Sequence, residues 1–116
     1  MFQLSQDFSG VSVSHGTMRQ LDILQAIHDF LINHAPSQYP DELQQDATEF
    51  LLILTKKDNG ESVEIDDNFY YRVCDFTNES LWGIMESIAP KNHYFGAHIG
   101  DGTDYGFWTH DECWQY

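Results

Sequence analysis

Leu21, Leu24, Ile27 and Leu31 recur at helical spacing, and Ile23, Phe30 and Ile32 widen the apolar face, which predicts a well-buried helix. Thr17, with Gln20 three residues on, reads as a capping box at its start. His34 falls in the last turn, where a cation suits the helix dipole, and Pro36 ends the run. Pro40 opens a second helix in its first turn, followed by Asp41 and Glu42 where acids are favoured. Leu43, Ala47, Phe50, Leu51 and Leu54 form its apolar stripe, and Lys56 and Lys57 close it before the turn signal Asp58-Asn59-Gly60. A third helix is expected from a cap at Thr77 or Asn78, with Leu81, Ile84, Met85 and Ile88 facing inward and Pro90 as its stop.

Between and around these helices the period shortens. Val11 and Val13 alternate with Ser12 and Ser14, as in a half-buried strand. In residues 61–76, Val63 and Ile65 alternate with Glu64 and Asp66, and the β-prone run Phe69 to Cys74 follows. A strand is favoured there, with an aromatic loop or a short helix as alternatives. Residues 94–99 and 104–108 are two aromatic strands joined by Gly100-Asp101-Gly102-Thr103, the pattern of a β-hairpin. The expected fold is α+β: one domain over residues 1–116, with three helices packed on a small antiparallel β-sheet that ends in a C-terminal hairpin.

Charge changes this picture most. Nineteen acids oppose five bases, for a formal net charge of −14, in a chain that is 41% hydrophobic and 15% aromatic. Such a chain is too apolar for a disordered acidic tail, and it repels nucleic acid and anionic membrane alike. A basic protein surface is the complementary partner, with encounter accelerated roughly 10–10³-fold at low salt. Residues 1–7 lack the basic region and apolar core of a signal peptide, and two cysteines make no disulfide framework, so a cytoplasmic setting is expected.

The acids fall in three groups. Asp41, Glu42, Asp46 and Glu49 lie along the second helix, all but Glu42 near one outer face. Asp58, Glu61, Glu64, Asp66 and Asp67 surround the following turn. Asp101, Asp104, Asp111 and Glu112 mark the hairpin and tail. A solvated face would account for one acidic helix, but three groups with so few interspersed bases carry a real cost in self-repulsion. The first two groups are therefore the candidate partner-binding residues, because spaced carboxylates can stand in for phosphates before Arg and Lys.

Other chemistry is weaker. His93, His98 and His110, with Asp101, Asp104 and Cys113, match no zinc spacing, and Asp101-Gly102-Thr103-Asp104 lacks the later ligands of a calcium loop, so no metal or cofactor is expected. Cys74 and Cys113 have no activating basic surroundings, and an acidic neighbourhood raises a thiol pKa, so no enzyme is expected. Exposed aromatics within the acidic surface, Trp114 and Tyr116 among them, would serve as binding anchors.

Two stretches, residues 14–19 (Ser14-His15-Gly16-Thr17-Met18-Arg19) and residues 94–108, resemble small proteins of phages and other mobile elements. In size, acidity and general style the chain is also similar to phage anti-CRISPR proteins, particularly inhibitors of type I-F systems. That resemblance implies a monomeric DNA mimic that binds subunits of the CRISPR surveillance complex (Cascade) in the bacterial cytoplasm and blocks target-DNA docking. An immunity protein or antitoxin that neutralises a basic nuclease toxin would share the same acidity.

Overall fold

The structure is a computed structural model that describes residues 2–17, 19–98 and 100–109. Helix α1 (Gln20–His34) turns Ile23, Leu24, Ile27, Phe30 and Leu31 into the core, as its spacing predicts, but leaves Ile32 exposed. Its entry differs from a capping box. Thr17 spends its hydroxyl one turn early, accepting from the Arg19 amide at 3.2 Å and donating to Asp22 at 2.7 Å, so Arg19 stands at the cap and its side chain caps no helix amide.

A 3-10 turn at Pro36–Gln38 and the buried Tyr39 reverse the chain into α2 (Asp41–Asp58). Ala47, Leu51 and Leu54 are buried along α2, with Leu43 and Phe50 half-buried beside them. Arg19, before α1, pairs with Asp58 at the end of α2, so the two helices run antiparallel.

Residues 61–66 form no strand. The chain enters α3 (Asp67–Asp75) at Asp66, whose Oδ1 accepts from the Phe69 amide at 2.9 Å. This N-cap, together with Phe69 and Val73 one turn apart and buried, overrides the β-propensity of the aromatic run. The expected cap at Thr77 or Asn78 is likewise displaced, because the helix is already running. A π segment (Phe76–Leu81) joins α3 to α4 (Trp82–Ile88) with helical backbone at both junctions, so the two form one rod and, 3-10 turns aside, the described residues hold three helical units.

That segment has a clear geometric purpose. On an uninterrupted α-helix the buried set Phe69, Val73 and Phe76 would lie about 100° from the set Leu81, Met85 and Ile88, one residue out of phase. The π turn absorbs that extra residue and puts both sets on the same core. Thr77 is fully buried there and donates its hydroxyl to the Val73 carbonyl at 2.8 Å.

The sheet is antiparallel with order β1-β3-β2: β1 (Ser12–Ser14), β2 (His93–His98) and β3 (Asp101–Thr109). The C-terminal hairpin is β2–β3, but it closes more tightly than expected: His98 already pairs with Asp101, so residues 101–103 belong to the strand and not to the turn. Phe95 and Phe107 pair across the hairpin and pack their rings on Trp82 and Phe30, which joins the sheet to α4 and α1. On the opposite face Trp108 lies by the cross-strand glycines Gly96 and Gly106 and donates its Nε1 hydrogen to the Gly96 carbonyl at 2.8 Å. The sheet and helices thus share one connected core. No helix among the described residues is long and apolar enough to cross a membrane.

Candidate protein-docking surface

The sequence-predicted acids reach the surface in different circumstances. Asp41, Glu42, Asp46 and Glu49 are all exposed on α2, and none is in an ion pair among the described residues. Five carboxylates on the 18 residues of α2, Asp58 included, span about 27 Å, or roughly one per 5 Å.

The second group is mixed. Asp58 is paired with Arg19, and Asp66 is used as the α3 cap. Four of the five bases collect around this end. Arg19 and Lys57 line one groove with Asp58, Lys57 stands over the Tyr70 ring at 5.8 Å, and Arg72 lines another groove with Glu64 and Asp66. Lys56 completes the set in the last turn of α2. Glu61, Glu64 and Asp67 are exposed there without an ion pair among the described residues.

In the third group the two described carboxylates, Asp101 and Asp104, already have protein donors. Asp101 Oδ1 accepts from the Thr103 amide at 3.0 Å and from the Thr103 hydroxyl at 2.8 Å. Those two bonds, the backbone one foremost, hold its carboxyl below the usual range. Asp104 accepts from the Ser12 hydroxyl and lies 3.5 Å from His15 Nδ1. Of the hairpin histidines, His93 bonds the Lys91 carbonyl and the Ser9 hydroxyl, while His98 accepts from the Gly100 amide and packs on Trp108. Among the described residues no three His, Cys, Asp or Glu side chains come together as a metal site. Cys74 is half-buried. His110, Asp111, Glu112, Cys113, Trp114 and Tyr116 lie outside the described residues.

Beside the first acidic group, α1 contributes His28 and Asp29. His28 Nδ1 is 2.7 Å from the Tyr39 hydroxyl, and the two rings meet edge to face. Burial pushes the His28 pKa down, against a smaller upward pull from Asp29, and burial also raises the Tyr39 phenol above its ordinary range. Below the unfolded value of 6.5 the unfolded chain takes up a proton that the folded chain resists. Stability therefore falls as pH drops through about 6.5 toward the lower folded value. His28→Gln is expected to lose less thermal stability than the parent between pH 7.5 and 5.5, as read from paired melting curves. Equal losses in both proteins would show that His28 does not carry this dependence.

Sequence reasoning missed two large apolar side chains on this same surface: Leu52 is 56% exposed on α2 and Ile32 is 42% exposed on α1. Helical phase was the available signal. Leu52 lies half a turn from the stripe of Ala47, Leu51 and Leu54, in line with Gln45, Thr48 and Asp41. No protein-family model matches the chain, and no curated protein or solved structure matches it either.

Proposed function

We propose that this chain is an acidic inhibitor that binds a basic, nucleic-acid-binding protein and covers the surface on which the nucleic acid docks. It acts by binding and not by catalysis. The observation that carries this reading is the run of exposed carboxylates on α2 (Asp41, Glu42, Asp46 and Glu49) without an ion pair among the described residues. A solvated surface needs no such segregation, since interspersing the four bases that stand at the other end of α2 would relieve the repulsion. Carboxylates held on a rigid helix offer Arg and Lys the same acceptor chemistry as phosphates. The resemblance to phage anti-CRISPR proteins supplies the target: the type I-F surveillance complex, with its DNA channel as the docking surface.

The test is a titration of labelled target duplex into that purified complex, with and without the protein, at about 50 and 250 mM salt. The protein is expected to compete with DNA, more strongly at low salt. Replacing Asp41, Asp46 and Glu49 together by Lys should weaken inhibition by about tenfold or more and flatten its salt dependence. A complex that neither binds the protein nor loses DNA affinity removes the CRISPR target. Inhibition of a basic nuclease instead would make the chain an immunity protein.

A further inference from the structure

The helices that carry the unpaired acids also leave an apolar groove uncovered. Between α1 and α2 lies a groove of about 340 Å³, with His28 and Asp29 on one wall and Thr48, Leu52 and Thr55 on the other. A second groove of about 440 Å³ lies alongside it, lined by Gln45, Thr48, Glu49 and Leu52. Leu52 belongs to both grooves, and Ile32 extends the α1 wall one turn past His28. From Gln45 to Thr55 the trough runs about 15 Å, the length of some ten helical residues.

Charge identifies the occupant. Neither groove is lined by Lys or Arg, although each has an exposed carboxylate, Asp29 in one and Glu49 in the other. A second copy of this chain would bring the same acids against them at a net charge of −14 per molecule. Nucleic acid and anionic lipid are excluded by the same repulsion. The acids alone do not make a strong site: α2 carries roughly one carboxylate per 5 Å, against about one charge per 1.7 Å in duplex DNA. An apolar contact supplies what this thinner charge lacks, and exposed Leu52 stands at the centre of the trough to make it.

We propose that Leu52, with Ile32, anchors an amphipathic basic helix of a protein partner in the α1–α2 groove, while Asp29 and Glu49 pair with its Lys and Arg side chains. This rests on the reading above that the partner is a basic protein, and it adds the face and the kind of segment that docks there.

The probe is a synthetic Leu/Lys peptide of about 14 residues with helical periodicity, titrated into isotope-labelled full-length protein and followed by amide NMR shifts. A permuted peptide of equal composition without that periodicity is the control. Shifts are expected to concentrate at residues 25–32 and 45–55. Leu52→Ser should weaken binding about tenfold without lowering the melting temperature, since the side chain is mostly exposed. Asp29→Asn with Glu49→Gln should weaken it and reduce its salt dependence. The permuted peptide should bind about tenfold more weakly. Shifts centred on α3 or the hairpin, or equal affinity for Leu52→Ser, would overturn the proposal, as would a dimer that Leu52→Ser dissociates. Peptide capture in the groove without loss of DNA binding by the surveillance complex keeps the groove and removes that target. Inhibition that survives Leu52→Ser keeps the function and removes the groove.

Discussion

Deleting Thr48 from α2 is expected to unfold most of the protein at room temperature, whereas deleting Asn78 is expected to leave it folded. Both residues are exposed and both lie in helical backbone, so neither loss is one of burial. The difference is phase. In α2 there is no slack: removing one residue rotates everything beyond it by about 100° relative to Leu43 and Ala47. Leu51 and Leu54 then leave the core. Each is worth about 1.5–3 kcal/mol in burial, before the cavity left behind is counted. A loss of about 5 kcal/mol reaches the lower end of what a small domain has in total. In the rod from Asp67 to Ile88 the π turn already holds one residue too many. Removing Asn78 lets α3 and α4 fuse into a plain α-helix, with Phe69, Val73, Leu81, Met85 and Ile88 still on one face. The cost should stay within about 1 kcal/mol. Urea unfolding followed by circular dichroism reads both. If the Asn78 deletion is as damaging as the Thr48 deletion, the π turn is not what keeps the two faces in phase.

The same rod shows where the sequence stops being readable. A 3.6-residue period finds Leu81, Met85 and Ile88, and separately finds Phe69 and Val73, but the two sets disagree by one residue. Read along the chain, that disagreement looks like the end of one element and the start of another. This is why a fresh cap at Thr77 or Asn78 is the natural expectation, while 61–76 reads as a strand on the alternation of Val63 and Ile65 with Glu64 and Asp66 and on the β-prone run Phe69 to Cys74. Only packing against a shared core makes the π turn worth forming. By contrast α1 and α2 each keep one phase throughout, and the hairpin holds a single register from His93–Thr109 to Ala97–Tyr105 before it shifts at His98, so most of their buried positions follow from periodicity.

The candidate surface was legible in part. That the chain is acidic, and that Asp41 to Glu49 lie on a helix, needs only the sequence. That Asp58 is paired with Arg19 does not, because the partners are 39 residues apart and meet only once α1 and α2 are antiparallel. Asp66 was countable as a free acid until Phe69 proved to be its third helical residue. The exposure of Ile32 was hidden by its neighbours: in a run as apolar as Ile23 to Ile32, periodicity alone does not say which side the core takes. Leu52 was visible in phase, but it lies among Leu51, Ile53 and Leu54, where an unbroken apolar run reads as buried.

Gly106→Ala is expected to cost about 3 kcal/mol, a fall of about 10 °C in melting temperature. A Cβ at this position would sit 2.3 Å from the Val11 carbonyl oxygen, 2.9 Å from Trp108 Cζ2 and 3.0 Å from Ser12 Cα. Two of those three atoms are backbone, so no rotamer change can relieve them. The Val11 oxygen is also committed, accepting from the Phe107 amide at 3.1 Å, while Gly10 donates to the Phe107 carbonyl at 2.8 Å. These bonds seat β1 on β3, and a methyl group would have to prise them apart. The third neighbour, Trp108, is held in place by its bond to the Gly96 carbonyl, so the ring cannot simply swing away. Gly102 lies on the same strand with nothing within 4 Å of an added Cβ and no positive φ. Gly102→Ala should therefore change stability by no more than about 0.5 kcal/mol. Thermal melts of the two variants, with tryptophan fluorescence as a second probe, separate close approach from any general effect of removing a glycine. Equal melting temperatures for the two would mean that β1 does not lie against Gly106. A fall confined to Gly106→Ala, with an altered tryptophan signal, would place the carbonyl of Val11 and the ring of Trp108 on either side of that glycine.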